Sequence, residues 1–219
     1  MKNRDLLAEK GEVVWKEKQK TLTLTGETVL EMSLSWPEVT GKKLWNVRRY
    51  YRRLSEGWER QWCREVYWCA CADLAQKRAA SRPFVPWKAS LSGWVTRRDE
   101  QLLSIAMLAG EEHGDGRGLE YRWGDTWRRE NGSPVRLKEL FPGKRRWRRD
   151  LLRQAEDAAQ RAREQGRCLV PEPKGPLRRW FSAERFALEE DGLLLYYPQC
   201  TVASAAEGAV TLQIPFVQA

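Results

Sequence analysis

Apolar and polar residues alternate along this chain with a period that changes several times, and each change marks an element. After Val13, Val14 and Trp15, Leu22 and Leu24 alternate with threonines. Gly26-Glu27 turns the chain, and Leu30, Met32, Leu34 and Trp36 then alternate with Glu31, Ser33 and Ser35. Period two on both sides of a glycine turn predicts a β-hairpin, which Pro37 is expected to end. Residues 1–10 read as a frayed start. From 42 to 79 the spacing becomes three or four: Leu44, Val47, Tyr51, Leu54, Trp58, Trp62, Val66, Cys69. That predicts one amphipathic helix of about ten turns, with an interruption expected at Gly57. Ser81 to Pro86 break it, and extended structure returns over Phe84 to Thr96.

Residues 101–127 combine an apolar run, a glycine-rich loop and an alternating run through Leu119, Tyr121, Trp123 and Trp127. An apolar strand without alternation belongs inside a sheet. The two runs predict a hairpin whose tip carries Glu111, Glu112, Asp115 and His113, the only histidine. Asn131-Gly132 is a tight-turn pair. Over 144–165, Trp147, Leu151, Ala155, Ala158 and Ala162 form a narrow seam suited to close helix packing. Lys144, Arg145, Arg146, Arg148, Arg149 and Arg153 crowd the first two turns of that helix, the unfavourable end of its dipole for positive charge. A loop at 171–176 leads to strands over Trp180–Leu188 and Leu193–Tyr197, joined by Glu189-Glu190-Asp191-Gly192, where Asp-Gly is a favoured turn. Val210, Leu212, Ile214 and Phe216 form a last strand. The fold class predicted is α+β: an antiparallel sheet with one long and one medium helix packed on one face. No linker marks a boundary. The chain therefore reads as a single domain over 1–219, with a hairpin and long helix at about 11–80 and the core sheet and second helix at about 83–217.

The net charge is +9, from 39 basic and 30 acidic residues, and there are twelve tryptophans. This balance favours acidic partners (nucleic acid, anionic lipid, acidic protein or polymer) and does not choose among them. No apolar run approaches the roughly 18 residues of a membrane helix. The first twenty residues lack the apolar core of a signal peptide. As written, the chain is expected in the cytoplasm, or outside it if a leader was trimmed. Five cysteines without a C-x-x-C are expected to be reduced and mostly buried.

One histidine leaves little room for nucleophilic triads, and G-x-S-x-G, P-loop and H-E-x-x-H are absent. The expectation is a non-enzymatic protein without cofactor or metal. Glu111, His113 and Asp115 would converge on a divalent cation only if the loop folded them together, and nothing specifies such a site. Arg48, Arg49, Arg52, Arg53 and Arg60 on the polar face of the long helix, with Arg145, Arg148 and Arg149 on the second, have two readings: solvated faces, or an anion-binding surface. Basic clusters at 48–53, 144–153 and 178–179 flank Tyr50, Tyr51, Trp147 and Trp180, which makes nucleic-acid binding the alternative function. Helical spacing already explains Tyr51 and Trp147 as core.

LLSIAMLAGEEHGDG with its following strand, NGSPVRLKELFP with its following helix, and RFALEEDGLLLYYPQCTVASAAEGAVTLQIPFVQ together resemble the RsiV-like family. That domain forms the extracytoplasmic part of the anti-sigma-V factor and accompanies PdaC-type peptidoglycan deacetylases. The resemblance covers roughly 100–217. It implies the same α+β fold and a binding or sensing role, a lysozyme receptor in the anti-sigma factor, with another protein or a cell-wall polymer as partner. The family's loop reads G-G-A-H-[GP]; His113 and Gly114 match it, and Glu111-Glu112 does not. Family members usually follow a leader or membrane helix, which this chain lacks as written. Lysozyme is basic, so contact would need a local acidic patch. Glu111, Glu112, Asp115, Glu189, Glu190 and Asp191 supply one if the two hairpin tips lie together, and His113 is a further candidate contact for the partner. Oligomeric state is left open.

Overall fold

In the computed structural model, residues 13–216 are described. The start at 1–10 lies outside the described residues. β1 (Val13–Leu24) and β2 (Glu27–Val39) pair antiparallel about Thr25 and Gly26, at φ 51° and 85°. Two successive positive φ values match the twist of a two-residue hairpin turn. β2 runs on through Pro37, against expectation, and Pro37 lies opposite Trp15. Its missing N–H costs nothing on the other side, because the next pairing stops at Leu34.

That next pairing is parallel: Leu30 to Leu34 of β2 lie beside Trp87 to Leu91 of β3 (Trp87–Arg98). Parallel neighbours need a long crossover, and the helix over 42–79 provides it. β4 (Leu102–Glu112) and β5 (Gly118–Arg128) complete a mixed sheet ordered β1-β2-β3-β4-β5. β4 is an interior strand, as its apolar run requires. β6 (Phe186–Leu188), β7 (Gly192–Tyr197) and β8 (Val210–Pro215) form a second, antiparallel sheet. The class is α+β.

The crossover is continuous but not uniform. A 3₁₀ turn (Lys42–Leu44) leads into α1 (Trp45–Gln61), a π-helical segment (Trp62–Val66) and α2 (Tyr67–Ala79). Its interruption is thus at Trp62, and Gly57 sits in regular helix. A π turn holds an extra residue and rotates everything after it. The buried stripe therefore passes from Val66 to Ala70, Cys71 and Leu74, and Cys69 is exposed.

The chain divides into two compact units: Met1–Gly93 with Leu108–Leu119, and Trp94–Met107 with Glu120–Ala219. In the first, α1 and α2 pack on β2, with Val29, Ala70, Cys71 and Leu74 in one cluster. In the second, α3 (Trp147–Glu164) buries Leu151, Ala155, Ala158, Ala159 and Ala162 in a core shared with Leu188, Leu193, Leu195, Leu212 and Ile214. Alanines at the seam let the helix approach the sheet closely. All six residues of β7 are buried.

Lys174–Trp180 forms a short helix, α4, where the sequence suggested a loop and the start of a strand. Pro176 sits in its first turn, where a fixed φ suits helix and no N–H is missed. β6 is confined to Phe186–Leu188. Gly192 does not take the left-handed turn conformation its Asp-Gly context suggested. A Cβ there would lie 2.7 Å from Ile214 O, so its role is close pairing of β7 with β8. Gly124 of β5 is tighter: a Cβ would lie 2.5 Å from Phe186 O and 2.6 Å from Ala187 Cβ. The five cysteines are unpaired. Only Cys71 is buried, whereas Cys69, Cys168 and Cys200 are exposed; the last two lie on connecting segments that carry no apolar stripe. Among the described residues no helix is long and apolar enough to cross a membrane.

Candidate functional site

The β4–β5 tip is a clamped structure, built from the strand outward. Period two carries the buried face of β4 through Leu103, Ile105, Met107 and Ala109 to Glu111. Glu111 is therefore an inward-facing carboxylate, and its Oε1 accepts the indole N–H of Trp62 at 2.9 Å. Trp62 is fully buried at the start of the π segment. His113 N–H donates to Arg117 O at 2.8 Å and Gly116 N–H to His113 O at 3.0 Å, which closes the turn. The imidazole stacks on Trp87, with ring centroids 4.0 Å apart and planes 16° from parallel. Trp87 Nε1–H donates to Asp73 Oδ2 of α2 at 3.1 Å. A Cβ on Gly114 would fall 2.5 Å from Val85 O, so the tip lies directly on the segment before β3. Asp115 accepts the backbone N–H of Arg117 at 3.0 Å, and that bond holds its carboxyl below the usual range, with the Arg117 charge adding to it.

These contacts separate the residues that the sequence grouped. Glu111 faces Trp62, His113 faces Trp87 and Asp115 faces the turn backbone, so the three do not converge on one point. Among the described residues no group of three or more His, Cys, Asp or Glu is placed to hold a metal ion. Of the tip's acidic side chains, Glu112 is exposed with no hydrogen bond or ion pair among the described residues. Glu189, Glu190 and Asp191 belong to the second unit. There Glu189 Oε2 accepts from Gln213 at 2.7 Å, while Glu190 and Asp191 are exposed.

The outward side of α1 is different. Leu44, Val47 and Tyr51 are buried, which turns Trp45, Arg49 and Arg53 outward. Trp45 is 54% exposed, and the Arg49 guanidinium lies 5.9 Å from its ring centroid. Trp45, Asn46, Arg49, Tyr50, Arg53 and Leu54 line a groove of about 460 Å³. Residues four apart repeat about every 6 Å along a helix, so Trp45, Arg49 and Arg53 form one row. Arg48 is exposed beside it, and Arg52 turns to Glu56 at 3.7 Å. The sequence pointed to Arg49, Arg53 and Tyr50 on this face and missed Trp45 as a groove wall. The signal was available: Trp45 falls one residue after Leu44 and off the apolar stripe.

In the second unit, Phe141 stacks on Trp147 at 5.7 Å, and Trp147 meets Phe181 at 6.5 Å. The Arg148 guanidinium lies over Phe181 at 5.1 Å, and Arg179 over Trp180 at 5.7 Å. Arg149 is 3.7 Å from Asp150, and Arg145 is exposed without an ion pair among the described residues.

The architecture is that of an α+β protein with a five-stranded mixed sheet and a three-stranded antiparallel sheet. Residues 138–217, which hold α3, α4 and the second sheet, match the model of the DUF3298 family, described as a protein of unknown function. The fold is shared with a DUF3298 family member from Bacteroides fragilis (14% identity, 95% of this chain and 92% of that one, TM-score 0.62). It is shared also with a DUF3298 family protein from Pseudomonas aeruginosa (16% identity, 94% and 90%, TM-score 0.59). Comparison with curated proteins gives no match.

Proposed function

We propose that this protein is a non-enzymatic recognition module that takes an anionic partner on the outward side of α1. The observation that carries this reading is the exposed Trp45 indole beside Arg49, in a groove walled by Tyr50 and Arg53. An exposed indole and unpaired guanidiniums are a poor arrangement for a solvated face and a good one for desolvating an anion. The net charge of +9 steers such a partner toward the chain. Titration calorimetry with heparin at low salt tests it. The wild-type chain is expected to bind, with affinity falling as salt rises, and Arg49→Glu/Arg53→Glu to lose at least tenfold. No binding, or equal binding by the variant, overturns it.

The resemblance to the RsiV-like family supports a second reading, recognition of a basic protein such as lysozyme through acidic turns. The exposure of Glu112, Glu190 and Asp191 favours it. It expects calorimetric binding of lysozyme at low salt that Glu112→Lys weakens; absence of heat at low salt removes it.

A further inference from the structure

The second unit carries its own cationic aromatic surface, distinct from α1 and unused by the reading above. Trp180 is 42% exposed at the end of α4, with the Arg179 guanidinium over its ring. Phe181 follows directly, with Arg148 of α3 over it. Arg145, Arg146, Arg148 and Arg179 are all exposed and form no ion pair among the described residues. Nearby positive charges that do find carboxylates are identifiable: Lys174 and Arg178 share Glu156, and Arg149 has Asp150. The unpaired set is thus a residue of positive charge concentrated where two consecutive aromatic rings reach the surface.

We propose that this surface binds single-stranded nucleic acid, with a base stacked on Trp180 and adjacent phosphates held by Arg148, Arg179 and Arg145. The choice of partner follows from the pairing of chemistries. Flat rings beside bare guanidiniums suit a ligand that alternates planar rings with anionic links. An acidic peptide or an anionic polysaccharide supplies the charge without the planar rings. A duplex keeps its bases stacked on one another and offers this surface only phosphates. The proposal shares with the α1 reading only the sign of the partner's charge.

The test is fluorescence anisotropy of a labelled oligothymidylate of about 15 nucleotides, within the usual length of a single-strand site. The full chain is expected to bind, with affinity falling steeply between about 50 and 200 mM salt. Trp180→Ala is expected to weaken binding about tenfold, Trp180→Phe to keep most of it, and Arg148→Glu/Arg179→Glu to weaken it at least as much as Trp180→Ala. All these side chains reach solvent or a partly exposed ring, and unchanged circular dichroism checks the fold of each variant. No binding at low salt overturns the proposal, as does equal binding by Trp180→Ala, or a duplex of the same length binding as tightly. Heparin binding that depends on Arg49 and Arg53, without oligonucleotide binding, sinks this proposal and leaves the α1 reading standing. Oligonucleotide binding that depends on Trp180, with heparin binding indifferent to Arg49 and Arg53, does the reverse.

Discussion

At the level of single residues, Trp62 and Glu111 decide how the β4–β5 tip is read. The indole N–H and the carboxylate satisfy each other at 2.9 Å in a buried setting. Removing one partner strands the other, which costs about 1–3 kcal/mol, more than the net worth of an ordinary hydrogen bond. Trp62→Phe, which keeps a ring and loses the donor, is expected to lower the denaturant midpoint accordingly, and Glu111→Gln, which keeps an acceptor, to lower it less. A wild-type midpoint for Trp62→Phe would contradict this. The burial of Glu111 was legible in the sequence, since it shares parity with Leu103, Ile105, Met107 and Ala109. Grouping it with the loop's glycines hid that parity. The stacking of His113 on Trp87 was not legible, because 26 positions separate the residues and no local pattern links them.

Among the elements, the long helix shows what periodicity carries and what it omits. Its extent over 42–79 follows from the spacing of apolar residues, and so does its outward face. The π segment left no mark, because an extra residue in one turn shifts later positions without altering composition, and the exposed Cys69 is the result. The parallel β2–β3 pairing was equally silent, since period two is the same for both strand directions. One tie between β1 and α1 gives this packing a pH signature. Lys18 and Lys20, on one side of β1, reach Glu59 of α1 at 2.7 and 3.3 Å. The hydrogen bond from Lys18 holds the Glu59 carboxyl below its ordinary 4.5, against partial desolvation and with help from Lys20. A carboxyl with a depressed folded pKa stabilises the fold above its unfolded value and loses that contribution as pH falls through the folded one. Thermal stability is therefore expected to fall below about pH 4.5, and to fall less steeply in Glu59→Gln. Parallel melting curves for the two proteins from neutral to acidic pH would contradict the assignment.

For the whole molecule, the α+β class, the strand positions of both hairpins and the alanine seam of α3 followed from residue patterns alone. In the second sheet β7 and β8 lie where the alternation placed them, but β6 is confined to the last three residues of the strand expected over 180–188, and no local pattern set these strands apart as a sheet of their own. The surface divides by charge in a way that composition could not assign. Most acidic groups near the β4–β5 tip are engaged by the fold, whereas α1 presents Arg48, Arg49 and Arg53 without carboxylate partners among the described residues. The proposed seat of the anionic partner is Trp45. Indole N–H resonances of ¹⁵N-labelled protein, with Trp45 assigned through Trp45→Phe, locate the contact during a heparin titration. The Trp45 signal is expected to shift progressively while the buried Trp62 signal holds still. A stationary Trp45 signal under saturating heparin would contradict the claim.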